Sequence, residues 1–272
     1  SSHEVVSRSA QLHLGPGKTK GGESHGQERL SRWLRDGIAR YDGARDFPAI
    51  DGTSSLSPYL HFGCISPLQV VMLAQQFDGS EAFIRQVVWR DFYAQILDSH
   101  PEASQHDYRS RGDDWVYCHE EFQAWVNGVT GFPLVDAGMR QLKSDGLMHN
   151  RVRMVTASFL IKDLHQDWRH GARYFMSQLI DGDVASNYLN WQWVAGTGTD
   201  ANPHRILNPA TQAKRFDPTA VYIRKWVPEL AGLSARDALD PTSAVRELTG
   251  YPQPLVDHRE RTQIFKQRRS RS

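Results

Sequence analysis

Apolar residues recur at helical spacing along most of the chain. Leu30, Trp33, Leu34, Ile38 and Tyr41 lie three or four residues apart, which is the period of one face of an α-helix. No segment alternates apolar and polar residues over the length of a strand, and no internal repeat is present. The pattern therefore predicts an all-α fold. Further helices are predicted at 80–98, 132–146, 148–166, 171–180 and 183–195.

Serine and proline residues mark several helix starts. Ser66-Pro67 predicts an N-cap with proline in the first turn. Ser24-His25-Gly26-Gln27 has the form of a capping box, and Ser80 opens the longest predicted helix. Ile84, Val88 and Phe92 recur every four residues along that helix. This apolar row is expected to face the core.

Composition narrows the class of protein. The 272 residues are 39 % hydrophobic, enough for a core, and their net charge is +1. Binding to a nucleic acid would therefore depend on a local basic patch. Cys64 and Cys118 form no CxxC pair, and no apolar run reaches the about 18–20 residues of a membrane span. We therefore expect reduced thiols and a cytoplasmic protein without membrane contact.

Three regions are expected along the chain. It begins Ser1-Ser2-His3, without methionine, so we expect a fragment whose polar residues 1–22 form an interdomain linker or tail. Residues 23–258 are expected to form one helical domain, and six prolines after Pro203 favour short helices and loops there. Residues 259–272 form a basic C-terminal tail that is expected to fray.

The first candidate site is Thr53-Ser54-Ser55-Leu56-Ser57, which precedes Pro58. Its four hydroxyl groups stand just before a predicted helix start, where free backbone N–H groups and the helix dipole attract anions. This arrangement suits a phosphate or pyrophosphate. An ordinary capped turn has the same sequence features and is the alternative.

A second candidate lies on the helix predicted at 80–98. Gln86, Trp89, Arg90 and Tyr93 share one face of it. A flat aromatic ring beside an arginine and an amide suits a stacked base next to a phosphate. The alternative is a helix with a buried tryptophan and a solvated arginine.

A third candidate begins the helix predicted at 148–166. Asn150 and Met154 share one face, whereas Arg151 and Arg153 point in different directions. The two arginines can therefore serve different partners. A solvated basic helix end is the alternative.

The fourth candidate opens the helix predicted at 183–195. Asp183, Asn187 and Trp191 stand at i, i+4 and i+8, which aligns a carboxylate, an amide and an indole. The alternative is an acidic N-cap followed by core tryptophan. Asp181-Gly182-Asp183 lacks the further oxygen ligands of a calcium loop, so no metal site is predicted.

Taken together, these stretches resemble the photolyase/cryptochrome family. The motifs that carry the resemblance are Trp89-Arg90-Asp91-Phe92-Tyr93, Gly131-Phe132-Pro133-Leu134-Val135-Asp136, Met148-His149-Asn150-Arg151, Phe175-Met176-Ser177-Gln178-Leu179-Ile180-Asp181-Gly182-Asp183 and Trp191-Gln192-Trp193. The resemblance runs from about Gln27 to about His258 and implies the family's multi-helix FAD-binding domain. The family's N-terminal α/β domain, which holds the antenna chromophore, would lie outside this chain.

The resemblance implies reduced FAD (FADH⁻) as cofactor and damaged DNA as partner of a monomer. In the family, light-excited flavin donates an electron to a pyrimidine dimer and regains it after the ring opens. The dimer first flips out of the duplex, at a cost of about a few kcal/mol, photolyases being among the enzymes for which this is established. The residues implied to hold FAD are Tyr41, Thr53 to Ser57, Arg153 paired with Asp181, Gly182, Asp183, and Asn187 near flavin N5.

The resemblance also implies an electron relay of three indoles. Trp191 would lie next to the flavin, Trp168 would follow, and Trp115 would lie at the surface. Packing alone is the alternative role of these rings. Trp89 would stack on the flipped dimer. The residues implied to meet the lesion or its phosphates are Gln86, Trp89, Arg90, Tyr93, Asn150, Arg151, Met154, Trp193, Arg205 and Gln212.

Two departures from the family pattern bear on the substrate. Gln86 stands where photolyases for cyclobutane dimers often carry glutamate. Glutamine at this position is typical of (6-4) photolyases and animal-type cryptochromes. Asn150 and Met154 stand where (6-4) enzymes carry histidines, which favours cyclobutane dimers. We therefore predict light-driven repair of cyclobutane pyrimidine dimers. The alternatives are a cryptochrome-type photoreceptor, a (6-4) photolyase, or a helical nucleic-acid-binding module without cofactor.

Overall fold

The computed structural model describes residues 19–200 and 202–270, and all regular structure within them is helical, which confirms the all-α prediction. In chain order the α-helices are α1 (Glu23–Asp36), α2 (Tyr41–Ala44), α3 (Ser57–His61), α4 (Pro67–Ala74), α5 (Glu81–Ser99), α6 (His119–Asn127), α7 (Pro133–Asp145), α8 (Asn150–Lys162), α9 (Trp168–Gln178), α10 (Val184–Ala195), α11 (Pro209–Phe216), α12 (Val221–Trp226), α13 (Ala235–Leu239), α14 (Ser243–Thr249) and α15 (His258–Arg269). Short 3-10 turns occupy Ile38–Arg40, Pro101–Ser104 and Pro228–Leu230. Among these described helices, none combines the length and the apolar character that crossing a membrane requires.

Local signals located the helices well but not every cap. Ser66 caps α4 as predicted, accepting a hydrogen bond from the backbone N–H of Gln69. The prediction of a capping box at Ser24 is wrong. Helix α1 begins at Glu23, its N-cap is Gly22, and no side chain caps it, so Ser24 lies inside the first turn. Residues 1–18 of the predicted linker lie outside the described part of the chain.

The apolar row predicted for α5 is also wrong. Val88 is 53 % exposed and Phe92 is 36 % exposed, whereas Phe83, Val87 and Tyr93 are buried. Apolar residues occupy several faces of α5, so their spacing does not identify the buried one. The packing of α10 against α5 decides it instead, because that contact covers the side that carries Tyr93.

Two hydrophobic cores hold the described helices together. The smaller one is built by α1 to α5 around Trp33 and Phe83. The larger one, built mainly by α6 to α12, contains the fully buried Trp125 and Trp168 and also receives Phe265 of α15. A small cluster that includes Tyr93 joins α5 to α10. The space between the two cores is where the candidate site lies.

The C-terminal segment is not a frayed tail. Residues 258–269 form α15, whose Phe265 and Arg269 are buried. Arg269 donates two hydrogen bonds of 2.5 Å to the carboxylate of Asp113 and one of 2.8 Å to the carbonyl of Ala195. Asp113 lies 156 residues from Arg269 in sequence, so local sequence patterns do not predict that α15 packs against this segment. The placement of the domain boundaries themselves stays a prediction.

Asp136 organises the turn that precedes α7. Its fully buried carboxylate accepts hydrogen bonds from the N–H and hydroxyl of Thr130, the N–H of Gly131 and the hydroxyl of Tyr251. We expect Asp136→Asn to lower the free energy of unfolding by about 1–3 kcal/mol, because the new amide N–H₂ would face groups that also donate. Urea unfolding measures this change. Asp98→Asn, at an exposed position of α5, is the control, and equal stability of the two variants would contradict the assignment.

Candidate functional site

A cavity of about 510 Å³ lies between the two cores. Its walls come from the segment before α3 and from α5, α8 and α10, and Tyr41 adds to the side of the smaller core. These elements are far apart in sequence, so only the packing of the helices creates the cavity. Burial raises the pKa of the Tyr41 hydroxyl, although Arg45 beside it opposes the shift.

The hydroxyl segment forms one wall. Thr53, Ser54 and Ser57 line the cavity, and α3 begins at Ser57 as predicted. Ser55 has a positive φ of 53° and does not contribute to the lining. The Leu56 side chain is buried in the smaller core, and this residue, predicted to hold the cofactor, does not line the cavity.

Arg29 holds this segment from α1. Its guanidinium donates hydrogen bonds of 2.7 Å to the carbonyl of Ser54 and 3.2 Å to the carbonyl of Thr53. Arg29 is not one of the site residues predicted from the sequence. The contact joins Arg29 of α1 to a loop about 25 residues later in the chain. Helical periodicity does not predict a contact of this kind.

An ion pair forms the opposite wall. Both oxygens of Asp181 accept hydrogen bonds from Arg153, at 3.0 and 2.9 Å, and Arg153 also donates to the carbonyl of Met148 at 2.7 Å. Gly182 follows in the lining. Asp183 caps α10, accepting a hydrogen bond of 2.8 Å from the N–H of Ser186. The predicted pairing of Arg153 with Asp181 is thus present.

Asn187 and Trp191 face the cavity from α10. The amide of Asn187 donates a 2.9 Å hydrogen bond to the carbonyl of Ala172, which fixes its orientation. The Trp191 ring lies at 5.0 Å from that of Phe175. A Cβ placed on Gly171 would come within 2.2 Å of the indole, so the absence of a side chain at Gly171 makes room for Trp191.

The four residues predicted to share a face of α5 all line the cavity. Trp89 is 44 % exposed and therefore lies at the opening. Arg90 donates a 3.4 Å hydrogen bond to the carbonyl of Leu60. The Tyr93 hydroxyl donates to Asn190 at 3.3 Å, and burial raises the pKa of Tyr93 to about 12, so it stays a neutral donor.

The other residues predicted to meet the lesion divide into two groups. Asn150, Met154 and Trp193 line the cavity, whereas Arg151, Arg205 and Gln212 lie outside its lining. The Arg205 guanidinium covers the Trp193 ring at 4.9 Å, which places it beside the cavity.

Arg151 is held by its neighbours. It forms a 2.7 Å ion pair with Asp46 and covers the ring of Phe216 at 4.3 Å. His149, which caps α8, has its pKa lowered to about 4 by burial and is therefore neutral near pH 7. Gln212 lies on α11 and is half-buried.

The two outer members of the predicted relay lie away from the cavity. Trp168 is fully buried in the larger core, and its indole N–H donates a 2.8 Å hydrogen bond to Asp107. Trp115 is half-buried and packs against the same core. Trp125, which the sequence analysis left out, lies with its ring 6.2 Å from that of Trp191.

The cavity contains polar residues that the sequence analysis missed. Ser186 and Asn190 line it beside Asn187, and His61 lines it from the end of α3. Ser186 and Asn190 stand three and seven residues after Asp183, so extending the helical face of the fourth candidate would have found them. His61 stands four residues after Ser57, so the same extension along the face of α3 would have found it.

Comparison with known proteins decides the family. A family model described as the FAD binding domain of DNA photolyase matches residues 83–271. The chain belongs to this family. A deoxyribodipyrimidine photo-lyase of Streptomyces griseus is 48 % identical, over 98 % of this chain and 60 % of its own length. One from Escherichia coli (strain K12) is 45 % identical, over 85 % of this chain and 52 % of its own. This photolyase-family chain therefore spans between half and three fifths of these two relatives.

Solved structures of the family share the fold. A bacterial class III photolyase from Agrobacterium tumefaciens is similar with a TM-score of 0.86 and 39 % identity, over 92 % of this chain and 56 % of its own. A cryptochrome of Synechocystis sp. PCC6803 is similar with a TM-score of 0.87 and 32 % identity, over 94 % of this chain and 57 % of its own. The predicted family and helical domain type are thereby confirmed, and FAD is the cofactor in the family's description.

Proposed function

We propose that this chain is the FAD-binding, catalytic part of a light-driven enzyme that splits cyclobutane pyrimidine dimers in DNA. One observation carries the proposal: a single cavity brings residues expected to hold the cofactor, such as Asp181 and Asn187, together with residues expected to hold the lesion, such as Gln86 and Trp89. Electron transfer is fastest between groups in close contact. A shared cavity therefore suits a cofactor that reduces its substrate directly.

The lining fits FAD. A volume of about 510 Å³ falls in the range of about 300–1,000 Å³ that is usual for ligand and cofactor sites. The hydroxyls of Thr53, Ser54 and Ser57 would bind the phosphates. Arg153 and Asp181 would hold the sugar and flavin portion, and the Asn187 amide would lie near flavin N5, a position through which proteins tune flavins.

Reduced FAD, when bound and excited by light, supplies the electron that opens the cyclobutane ring and recovers it afterwards. The chain's own residues bind, orient and exclude water. Phe83 and Val87 contribute apolar surface to the cavity. Such surface excludes water from the site of electron transfer. Tyr93, with a pKa of about 12, holds its proton throughout.

Damaged DNA is the proposed partner, with the dimer flipped into the cavity. Trp89 would stack on the dimer, and the Arg90, Arg151 and Arg205 guanidinium groups would lie near its phosphates. With a net charge of +1 for the whole chain, such a local group must supply the attraction. We propose that the protein acts as a monomer in the cytoplasm.

A flavin photoreceptor that signals without repair is the second candidate function. The observation that favours it, and equally a (6-4) photolyase, is Gln86 in the cavity lining. A glutamine amide both donates and accepts hydrogen bonds on a pyrimidine edge, but it has no carboxylic proton to share.

Light-dependent repair tests the proposal. FAD-loaded, reduced protein is mixed with an oligonucleotide that contains one cyclobutane thymine dimer, and restored thymines are measured after blue light and in darkness. Restoration under light alone supports the repair enzyme. Bound FAD that undergoes photoreduction without any repair would contradict it and favour the photoreceptor, and Gln86→Glu would then be the variant to examine.

Trp89→Ala should weaken binding to the dimer. Base–aromatic stacking contributes about 1–3 kcal/mol per base, so we expect the dissociation constant for dimer-containing DNA to rise about 5- to 150-fold. Fluorescence anisotropy with damaged and undamaged duplexes measures the change. Tyr117→Ala, at an exposed aromatic outside the cavity lining, is the control. An unchanged preference of Trp89→Ala for damaged DNA would reject the stacking role.

A further inference from the structure

Arg205 lies in the loop between α10 and α11, beside the main cavity, the one of about 510 Å³. Its guanidinium covers the ring of Trp193, which lines this cavity, at 4.9 Å. One of its nitrogens lies 3.7 Å from a carboxylate oxygen of Asp200. The Arg205 side chain is still 43 % exposed, so it is open to a phosphate that lies outside the cavity.

The loop that carries Arg205 is anchored on α8. Residues 202–208 lie outside the helices, so helical hydrogen bonds do not hold them in place. The hydroxyl of Ser158 accepts a 3.3 Å hydrogen bond from the N–H of Leu207. The ammonium group of Lys162 donates a hydrogen bond to the carbonyl of Arg205 itself. The position of Arg205 therefore depends on two side chains of α8.

These two anchors continue a row of α8 that also forms the cavity. Asn150, Met154, Ser158 and Lys162 follow one another at intervals of four residues, which is the spacing of a ridge on a helix surface. The first two line the main cavity, and the last two hold the loop. One rigid helix thus places the lesion-facing residues and the loop of Arg205 relative to each other.

Lys162 occupies an unusual position for a lysine. Its side chain is only 2 % exposed, and its ammonium group lies 5.7 Å from the ring of Phe265 of α15. Burial lowers the pKa of Lys162 to about 7, and Arg269 adds to this shift while Asp200 opposes it. An apolar side chain would fill the same space without the cost of burying an ammonium group. A lysine here therefore indicates a role other than packing.

We propose that Lys162 is a positioning residue: by holding the carbonyl of Arg205, it keeps the guanidinium of Arg205 where it meets a phosphate of damaged DNA. The inference rests on the proposed function, because DNA is the ligand that Arg205 would contact. Lys162 itself does not line the main cavity, so its effect on DNA binding passes through the loop. Without this anchor the loop moves, and the phosphate contact weakens although Arg205 is still present.

Lys162→Met tests the proposal in the FAD-loaded protein. Fluorescence anisotropy measures the Kd for a duplex that contains one cyclobutane thymine dimer, at several salt concentrations. We expect Kd to rise about tenfold, the effect of losing one hydrogen bond to a charged group. The slope of log Kd against log salt concentration should fall by about one, because one phosphate contact is lost. Arg205→Gln should produce the same two changes. Ser158→Ala, which removes only the second anchor, should produce a smaller change in the same direction.

The double variant Lys162→Met/Arg205→Gln separates positioning from general destabilisation. If Lys162 acts through Arg205, the double variant binds the duplex no more weakly than Arg205→Gln does alone, because residues in one chain of contacts are not additive. Independent effects would multiply to about 100-fold and would overturn the proposal. Wild-type affinity and wild-type salt dependence in Lys162→Met would overturn it as well. The affinity for FAD should stay the same in all these variants.

Arg246→Met is the matched control for the loss of a buried cation. Arg246 is 5 % exposed, and its guanidinium donates hydrogen bonds to the carbonyls of Pro241 at 2.9 Å and Gly131 at 3.0 Å, outside the cavity lining. The folded variant should bind the duplex as wild type does, and a weakening equal to that of Lys162→Met would overturn the proposal. Wild type without measurable affinity for the duplex would overturn the proposed function and this inference together.

Discussion

Replacing Trp191 by phenylalanine is expected to reduce photoreduction of bound FAD to background. Of the three tryptophans of the predicted relay, Trp191 is the one that lines the main cavity, and a phenyl ring is much harder to oxidise than an indole. The aromatic packing on Phe175 and Gly171 is retained by phenylalanine, so the protein should still fold and bind FAD. Dimer repair by chemically reduced enzyme should continue, because that reaction needs no electron from the relay. Absorbance of the flavin under continuous blue light measures the first result, and the oligonucleotide assay measures the second.

Trp125→Phe is the matched control for this experiment. Trp125 is fully buried, its ring lies 6.2 Å from that of Trp191, and its N–H donates to the carbonyl of Thr156 at 3.0 Å. It resembles Trp191 in burial and contact but has no place in the predicted relay. Photoreduction should therefore persist in Trp125→Phe and be lost in Trp168→Phe. Loss of photoreduction in Trp125→Phe but not in Trp168→Phe would indicate that the electron passes through Trp125. Unchanged photoreduction in Trp191→Phe would reject the relay altogether.

Asp181→Asn is expected to weaken FAD binding about 10- to 100-fold, since hydrogen bonds to charged groups contribute about 1.5–3 kcal/mol. The amide keeps one acceptor oxygen but turns an N–H₂ group toward the guanidinium of Arg153. Arg153 then loses one of its two hydrogen bonds to residue 181 and its counter-charge, and the cavity wall between Arg153 and Asp183 loosens. Titration of the FAD-free protein with FAD, followed by flavin fluorescence, measures the dissociation constant.

Glu229→Gln provides the control for Asp181→Asn. Glu229 also accepts two hydrogen bonds from one arginine, Arg140, at 2.7 and 2.9 Å, and neither residue lines the cavity. The variant breaks a comparable pair, so it should lower stability slightly and leave FAD affinity unchanged. If both variants lost FAD to the same extent, general destabilisation would explain the loss, and the assignment of Asp181 to cofactor binding would be wrong.

The site could be predicted residue by residue wherever it follows a helix face. Spacing of three and four residues placed Gln86 with Trp89, and Asp183 with Asn187, and the structure has each pair in one cavity. Leu56 shows the limit of this reasoning. It belongs to the predicted phosphate-binding segment, yet its side chain is buried in the smaller core. A segment without helical periodicity does not reveal which way each residue points.

The sequence by itself was sufficient for the fold class and for the family. Apolar residues that recur with the 3.6-residue period of a helix predicted the all-α fold, and the order of the short motifs predicted the family. Tertiary structure alone decided the rest. It buried Val87 and exposed Val88 on α5, placed Arg29 under the hydroxyl segment and docked Arg269 on Asp113. It also formed the cavity of the candidate site. The physical reason is the same in each case: these contacts join residues from different helices, and their energies depend on which surfaces meet, which the spacing of residues within one helix does not record.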